Sequence, residues 1–259
     1  MGIYNCAPTL QEALDSLYAQ TYKDFEIILC DDGSTDNTHQ IAYENQQKHP
    51  NIVLLKNPHN MGLNQTLNNC LSVAKGEYIA RMDGDDLCDP SRFEKQVKFL
   101  DQHPEYAIVS SSMSMFDEQG EFGARIEKGE PSLNAFMTST PFCHAPCMVR
   151  KEAYDAVGGY SVSKKLLRME DVDLWLKMYT HGYKGYNLEE KLYAMRDSRD
   201  ATARRNWLTR RNEMRIRARA VKELNLPWKY YIYTIRPLIL YLMPTFVYSY
   251  LHKVKANQK

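Results

Sequence analysis

Apolar residues in this chain fall into short runs of strand length, separated by longer stretches in which they return to one helical face. The runs are residues 25–30 (FEIILC), 51–55 (NIVLL), 78–82 (YIARM) and 106–110 (YAIVS), rich in branched and aromatic side chains. Residues 8–20 carry Leu10, Ala13, Leu14, Leu17 and Tyr18 at helical spacing, with Pro8 suited to a first turn. Residues 62–74 repeat the pattern with Leu63, Leu67, Leu71 and Ala74. Strands alternating with helices predict an α/β fold with a mostly parallel central sheet flanked by helices and right-handed crossovers. Residues 1–5 (MGIYN) read as the end of a buried strand followed by a turn. A core strand usually needs about five or six residues, so the expectation is that the polypeptide or its relatives begin several residues earlier.

Composition narrows the class. With 259 residues, 44% hydrophobic and 25% charged, the chain suits one large domain, or a domain of about 200 residues with an appendage. Collagen-like, disordered and small disulfide-stapled chains are excluded. Six cysteines without a CxxC, and no histidine at zinc-ligand spacing, read as reduced core thiols; Cys143 and Cys147 suit a buried structural pair better than a metal site. No secretory signal is visible at the N-terminus, and the expected location is cytoplasmic.

The formal net charge of +1 hides an asymmetry. Residues 1–195 hold 18 Lys/Arg and 28 Asp/Glu, a net −10, whereas residues 196–259 hold 15 and 4, a net +11. Such a split points to an anionic partner for the basic part. From Arg199 to Lys222 it is arginine-rich, with Arg199, Arg204, Arg205, Arg210, Arg211, Arg215, Arg217 and Arg219. Residues 230–251 follow, rich in tyrosine and aliphatics but broken by Arg236, Pro237 and Pro244, too interrupted for a spanning helix. Tyrosine beside basic residues favours a peripheral attachment to the cytoplasmic face of the cell membrane over nucleic acid. The alternative is a pair of helices packed on the domain.

Open α/β sheets bind ligands at the carboxyl ends of their strands, and two loops in that position are acidic: residues 31–36 (DDGSTD) and 83–86 (DGDD). Asp83, Asp85 and Asp86 repel one another, which raises their proton affinity unless a cation compensates. Such oxygens suit Mg²⁺ or Mn²⁺ bridging to substrate phosphates. A solvated turn, with Asp86 capping the next helix, is the plainer alternative. In the first loop, Gly33 suits a turn and Ser34 or Asp36 a helix cap; a carboxylate there also fits a base imide or a ribose hydroxyl.

Several spaced motifs resemble the family 2 glycosyltransferases over about residues 1–196. They are Gly2-Ile3-Tyr4-Asn5, Gln20-Thr21-Tyr22, Phe25-Glu26-Ile27-Ile28 leading into residues 31–36, Asn60-Met61-Gly62-Leu63, Lys75-Gly76-Glu77-Tyr78-Ile79, Arg81-Met82 before residues 83–86, and Pro90, Arg92 and Phe93. Gly158-Gly159-Tyr160 and residues 170–176 (EDVDLWL) match the acceptor side. The resemblance implies a GT-A fold and inverting, metal-dependent transfer of a hexosyl or N-acetylhexosaminyl group. The donor would be a nucleotide-diphosphate sugar, UDP-linked first of all, and the acceptor a glycan hydroxyl. Carried over by position, Tyr4 would stack near the base, Asp32 accept its imide hydrogen, Asp83 meet the ribose and Asp85 ligate the metal. Asp171 would be the general base, with Glu170 and Asp173 as the other carboxylates at that helix start. Arg81 would hold one acidic-loop carboxylate; Asp86 and His144 are further candidates. The implied organisation is a catalytic domain at 1–196, with nucleotide-binding and acceptor halves dividing near residue 100, and a helical extension at 197–259. The implied setting is assembly of a lipid-linked oligosaccharide for capsule, O-antigen or exopolysaccharide.

The chemistry agrees with that assignment. A base on the face of the sugar opposite the leaving group takes the acceptor's proton, a role worth about 10²- to 10⁴-fold, and a cation replaces the acid that a glycosidase needs. Two rivals remain: a sugar nucleotidyltransferase, which would want a glycine-rich basic phosphate loop where Gly2-Ile3-Tyr4-Asn5 stands, and an inert glycan- or nucleotide-binding module, which would not need Asp83, Asp85 and Asp171 together.

Overall fold

The computed structural model describes residues 1–197 and 206–243. The first strand–helix alternation forms as the apolar pattern predicts. Strands β1 (Gly2–Ile3), β2 (Ile27–Asp31) and β3 (Ile52–Lys56) make a parallel sheet in the order β1-β2-β3. Helix α1 (Leu10–Tyr18) buries Leu10, Ala13, Leu14 and Leu17, the stripe read from the sequence. Helices α2 (Thr38–Lys48) and α3 (Leu63–Val73) complete this half.

The second half holds β4 (Tyr78–Ala80), β5 (Leu87–Cys88), α4 (Arg92–Gln102), β6 (Ile108–Asp117), β7 (Gly120–Arg125), α5 (Ala135–Thr138), β8 (Met148–Arg150), α6 (Lys151–Val157), α7 (Glu170–Thr180) and β9 (Gly185–Arg196). Its strands run β4-β8-β6-β9-β5, with β7 also on β6. Here β6 and β9 are parallel and the other ladders antiparallel. A tight reversal returns β7 onto β6, with Asp117 opposite Gly120 at φ +106°, a backbone that glycine adopts without strain. The α/β class is as expected, but only part of the pairing is parallel.

Among the described residues no ladder joins the two sheets. Between β2 and β4 lies a cavity of about 590 Å³, lined by Ile27, Ile28, Tyr78, Ile79, Ala80 and Met82 among others. The Met1 ammonium donates to the Ile28 carbonyl at 2.8 Å at its edge.

Arg92, fully buried, ties the halves of the site to the core. Its Nη2 donates to the carbonyls of Arg81 (2.9 Å), Ala145 and Cys147 (both 3.3 Å), its Nε to Gln96 Oε1 (3.1 Å), and its guanidinium carbon sits 5.1 Å from the Tyr193 ring centre. A buried arginine persists only when its donors are met, and these bonds fix the backbone that leads into the acidic loop. All six cysteines are free thiols, Cys6 half-buried and the rest buried.

After β9 and the undescribed residues, α8 (Trp207–Glu223), a 3₁₀ turn (Trp228–Thr234) and α9 (Arg236–Leu242) follow. Helix α8 docks on the catalytic domain. Asn212 Nδ2 donates to Lys164 O (3.2 Å), Arg217 Nη1 to Phe136 O (3.2 Å) and Arg219 Nη1 to Asp173 Oδ1 (2.6 Å), while Arg210 and Arg217 both pair with Glu213. The arginine run is therefore not a free cationic surface throughout. Arg210, Arg217 and Arg219 neutralise the protein's own carboxylates, Arg211 and Arg215 are exposed, and Arg199, Arg204 and Arg205 lie outside the described residues. Helical packing on the domain describes α8, whereas the apolar residues at 246–251 are also outside the described set. No helix among the described residues is long and apolar enough to cross a membrane.

Candidate active site

Two loops from different sheets wall a pocket of about 400 Å³. One follows β1 and contributes Tyr4, Asn5, Cys6 and Thr9; the other follows β4 and contributes Asp83, Gly84 and Asp85; Arg196 closes a third side. Their close approach requires Gly84, because a Cβ there would lie 2.8 Å from Cys6 Sγ and 3.3 Å from Ile3 Cγ2. Thr9 Oγ1 spans the loops, donating to Gly84 O at 2.9 Å. Asn5 takes φ +49°, which asparagine tolerates, and its Oδ1 accepts the Thr35 N–H at 2.9 Å. Tyr4 is 46% exposed on this wall, so its ring is available to a flat ligand.

Within the acidic loop the three aspartates differ. Asp83 Oδ1 accepts from Arg81 Nη2 at 2.8 Å, the tether expected of Arg81. Asp85 faces the pocket, and burial together with the Asp83 charge pushes its carboxyl above the ordinary carboxylate range. Asp86 is buried behind the loop. Its Oδ2 accepts from Tyr193 Oη (2.8 Å) and its Oδ1 from the Arg196 N–H (2.7 Å), and burial followed by the Asp83 charge pushes it up to about 7. Asp86 thus joins the loop to the end of β9. It does not cap α4, whose N-cap is Ser91.

Arg196 and Tyr193 did not stand out in the sequence. Arg196 Nε donates to Asp85 O at 3.0 Å, Nη2 bonds Glu12 Oε2, and the guanidinium carbon lies 4.5 Å from the Phe116 ring centre. The readable signal was one arginine at the end of an apolar run, which nothing local ties to residues 85 and 86. Tyr193 Oη also accepts the Asp83 N–H at 3.2 Å, so β9 holds the acidic loop at two points.

Asp32 lies elsewhere. It is 4% exposed; its Oδ1 accepts from Asn57 Nδ2 and Met61 N (both 2.8 Å), and its Oδ2 from Gly62 N (2.9 Å). The carboxylate organises the Asn60-Met61-Gly62 turn and is not among the pocket-lining groups. Asp36 plays the cap-like part expected for that loop, accepting from Thr38 N (3.0 Å) and Ala7 N (3.1 Å).

The acceptor-side residues gather at the start of α7. Glu170 and Asp171 open the helix, whose apolar face buries Val172, Leu174, Trp175, Leu176 and Met178. The helix terminus alone would lower Asp171's basicity. Burial outweighs that, with help from the Glu170 charge, and pushes the partly buried Asp171 carboxyl up to about 6, against the pull of the Val172 hydrogen bond and the Arg81 charge. Asp173 points inward to Arg219 and is structural. His144 Nε2 is 2.9 Å from Tyr160 Oη, and its ring lies edge-on to Trp175 at 5.7 Å; burial and the Arg81 charge hold it neutral, well below the ordinary histidine range. Tyr160 is clasped in turn by Asn68, which donates from Nδ2 to Tyr160 O and accepts the Tyr160 N–H, both at 2.8 Å. Arg81 is the common neighbour: it is bonded to Asp83, and its charge bears on Asp171, His144 and Tyr160.

Asp83 and Asp85 fit a divalent cation. A cation would offset the raised proton affinity of Asp85, and magnesium-type ions take one or two protein carboxylates and complete their shell with water and substrate phosphate. Among the described residues no group of three or more His, Cys, Asp or Glu is placed to hold a metal ion.

The chain is similar to known proteins in sequence and in fold. The chain is 45% identical over 261 residues to the putative glycosyltransferase EpsE of Bacillus subtilis (strain 168), covering 100% of this chain and 94% of that protein. It is 30% identical over 187 residues to the Escherichia coli UDP-Glc:alpha-D-GlcNAc-diphosphoundecaprenol beta-1,3-glucosyltransferase WfaP, covering 72% of this chain and 71% of that one. In three dimensions it resembles S. aureus TarS 1-349 in complex with UDP-GlcNAc, with TM-score 0.70 at 19% identity over 96% of this chain and 72% of that chain, a likeness that identifies the fold as GT-A. Residues 1–158 match the profile of the family described as Glycosyl transferase family 2. Motifs, fold, pocket and relatives converge, and the chain belongs to glycosyltransferase family 2.

Proposed function

We propose that this glycosyltransferase of polysaccharide assembly is an inverting enzyme that moves a hexosyl or N-acetylhexosaminyl group from a UDP-sugar to a hydroxyl of a lipid-linked oligosaccharide. The observation that carries the reading is the pairing of Asp83 and Asp85 in a pocket walled by Tyr4 with a separate, partly buried carboxylate, Asp171, tuned to about 6. A base of that strength is ionised at neutral pH and still accepts a proton readily. The donor class is supported by WfaP, whose name gives UDP-Glc as its donor.

Tyr4 stacks the nucleobase, Asp83 holds the ribose, and Arg81 holds Asp83 in place. Asp85, next to Asp83, would hold Mn²⁺ or Mg²⁺; when bound, the cation supplies charge neutralisation to the departing diphosphate. Asp171 takes the proton of the attacking hydroxyl as its oxygen bonds to the anomeric carbon. The bond from that carbon to the diphosphate oxygen breaks, and its electron pair leaves with the nucleoside diphosphate. Attack from the face opposite the leaving group inverts the anomeric centre. Asp32 acts from the turn it organises, shaping the donor wall from behind. The acceptor's lipid sets the enzyme at the cytoplasmic face of the cell membrane, with the C-terminal extension nearest the bilayer.

The test is a panel of nucleotide sugars with Mn²⁺ or Mg²⁺ and a diphosphate-lipid-linked GlcNAc acceptor. One UDP-sugar should give a product of inverted anomeric configuration, and none should form with Asp171→Asn. Pyrophosphate-dependent formation of a nucleotide sugar, or ligand binding with no turnover of any donor, overturns the reading.

A further inference from the structure

We propose that an exposed apolar stripe on the C-terminal extension, built from Trp228, Ile232, Ile235, Ile239 and Leu242, is the surface by which this protein sits on an anionic lipid bilayer. The five residues lie along the path of the 3₁₀ turn, the residue that joins it to α9, and α9 itself, and all five are exposed. Their side of the path is turned away from the domain: they are 84, 69, 48, 56 and 70% exposed. The opposite side is held. Tyr230 and Tyr233 pack against the core cluster of the acceptor half, Pro237 is buried, and Arg236 Nη1 donates to Thr138 O at 2.6 Å. The path is therefore fixed on the domain with its apolar face outward, and that face stays apolar where a soluble surface would carry charge.

Charge identifies the occupant. Lys229 is exposed within the stripe, and Arg211, Arg215 and Lys222 are exposed on the side of α8 opposite its buried Asn212, Ile216 and Ala220. These cations remain after Arg210, Arg217 and Arg219 have been paired internally. An apolar surface led by a tryptophan, on an extension whose exposed Lys229, Arg211, Arg215 and Lys222 have no ion-pair partner among the described residues, matches the headgroup region of an anionic membrane, where the ring lies among the headgroups and the cations meet lipid phosphate. A second copy of this chain would bring the same cations together and is disfavoured.

The proposal deepens the membrane-face part of the function above, and donor turnover in solution tests the catalytic part independently. The experiment is flotation of the full chain with vesicles of phosphatidylethanolamine and phosphatidylglycerol, compared with phosphatidylcholine alone. The protein should float with the anionic vesicles and bind the neutral ones at least fivefold less. Trp228→Ser/Ile232→Ser/Ile239→Ser/Leu242→Ser should lose at least tenfold in binding while keeping its Tm and its donor hydrolysis. Should that variant misfold, bromine-labelled lipid gives a second readout: it should quench the tryptophan fluorescence of the native chain and quench Trp228→Phe far less. The idea is overturned by a native chain that does not float, by equal binding of a folded stripe variant, by equal quenching of Trp228→Phe, or by a native dimer that the stripe substitutions turn into monomer without changing flotation.

Discussion

Arg81 donates from Nη2 to Asp83 Oδ1 at 2.8 Å, and the same guanidinium lowers the proton affinity of Asp171. One side chain thus holds a donor-side carboxylate in place and tunes the acceptor-side base. Replacing it with an uncharged chain of similar length, Arg81→Met, should free Asp83 and lower kcat/KM by roughly ten- to a hundredfold. It should also move the acidic limb of the pH–rate profile upward from about 6, because Asp171 loses a nearby positive charge. A limb that stays put, with kcat/KM reduced, would assign Arg81 to the donor side alone.

Asp171 carries a stability signature as well as a catalytic one. In the fold it titrates near 6 against its ordinary 3.8, so the ionised form is disfavoured by folding. Between about pH 4 and 6 the native state keeps a proton that the unfolded chain releases; above 6 both states are ionised and the fold bears the full penalty. Asp171→Asn should therefore abolish transfer, leave donor affinity within about threefold, and raise stability at pH 7.5 by about 1–2 kcal/mol, a gain that fades as pH falls from about 6 to 4 and is absent below 4. Calorimetry at three pH values, beside a transfer assay, reads each part. Residual transfer above about 1% of wild type would move the base to Glu170.

Metal dependence should be reversible and should run through Asp85. Chelation should stop transfer, and added Mn²⁺ or Mg²⁺ should restore it. Asp85→Asn should raise the metal concentration for half-maximal activity by at least tenfold, since a carboxylate is lost where phosphate and water supply the other oxygens. Full activity in excess chelator would remove the cation from the mechanism.

The Gly158-Gly159-Tyr160 turn is a packing joint. Gly159 has φ +66°, and a Cβ there would lie 2.6 Å from Asn68 Oδ1, the atom that accepts the Tyr160 N–H. Gly159→Ala should cost about 2–4 kcal/mol, a Tm drop of roughly 5–10 °C in thermal melts. Adding Asn68→Ala should cost less than the sum of the two singles, because the clash and the hydrogen bonds share one side chain. Simple additivity would place the strain in the backbone alone.

How much of this was readable in the sequence follows the range of each interaction. Leu10, Ala13, Leu14 and Leu17 declared their helix through spacing, and residues 31–36 and 83–86 declared their loops through position after apolar runs. The link from Asp86 to Tyr193 and Arg196 crosses more than a hundred residues and has no local pattern. Asp32 shows the other limit. Its place in the motif suggested a ligand contact, but Asn57, Met61 and Gly62 supply three donors that only the folded turn brings near. The arginines of α8 looked alike in sequence, and partners such as Asp173 on α7 divided them into internal and exposed sets.

The cavity between β2 and β4 bears on how the donor is gripped. The pocket's walls come from the loop after β1 and the loop after β4, strands of two sheets that no ladder joins among the described residues. Backbone hydrogen bonds would fix that separation to within tenths of an ångström; side-chain packing across about 590 Å³ of open space does not. The aperture of the donor pocket thus rests on the few contacts that cross between the loops, the Thr9 Oγ1 to Gly84 O bond and the packing of Gly84 on Cys6, with the cavity behind them. Enlarging a side chain in that gap should alter the affinity for the donor from behind its binding wall.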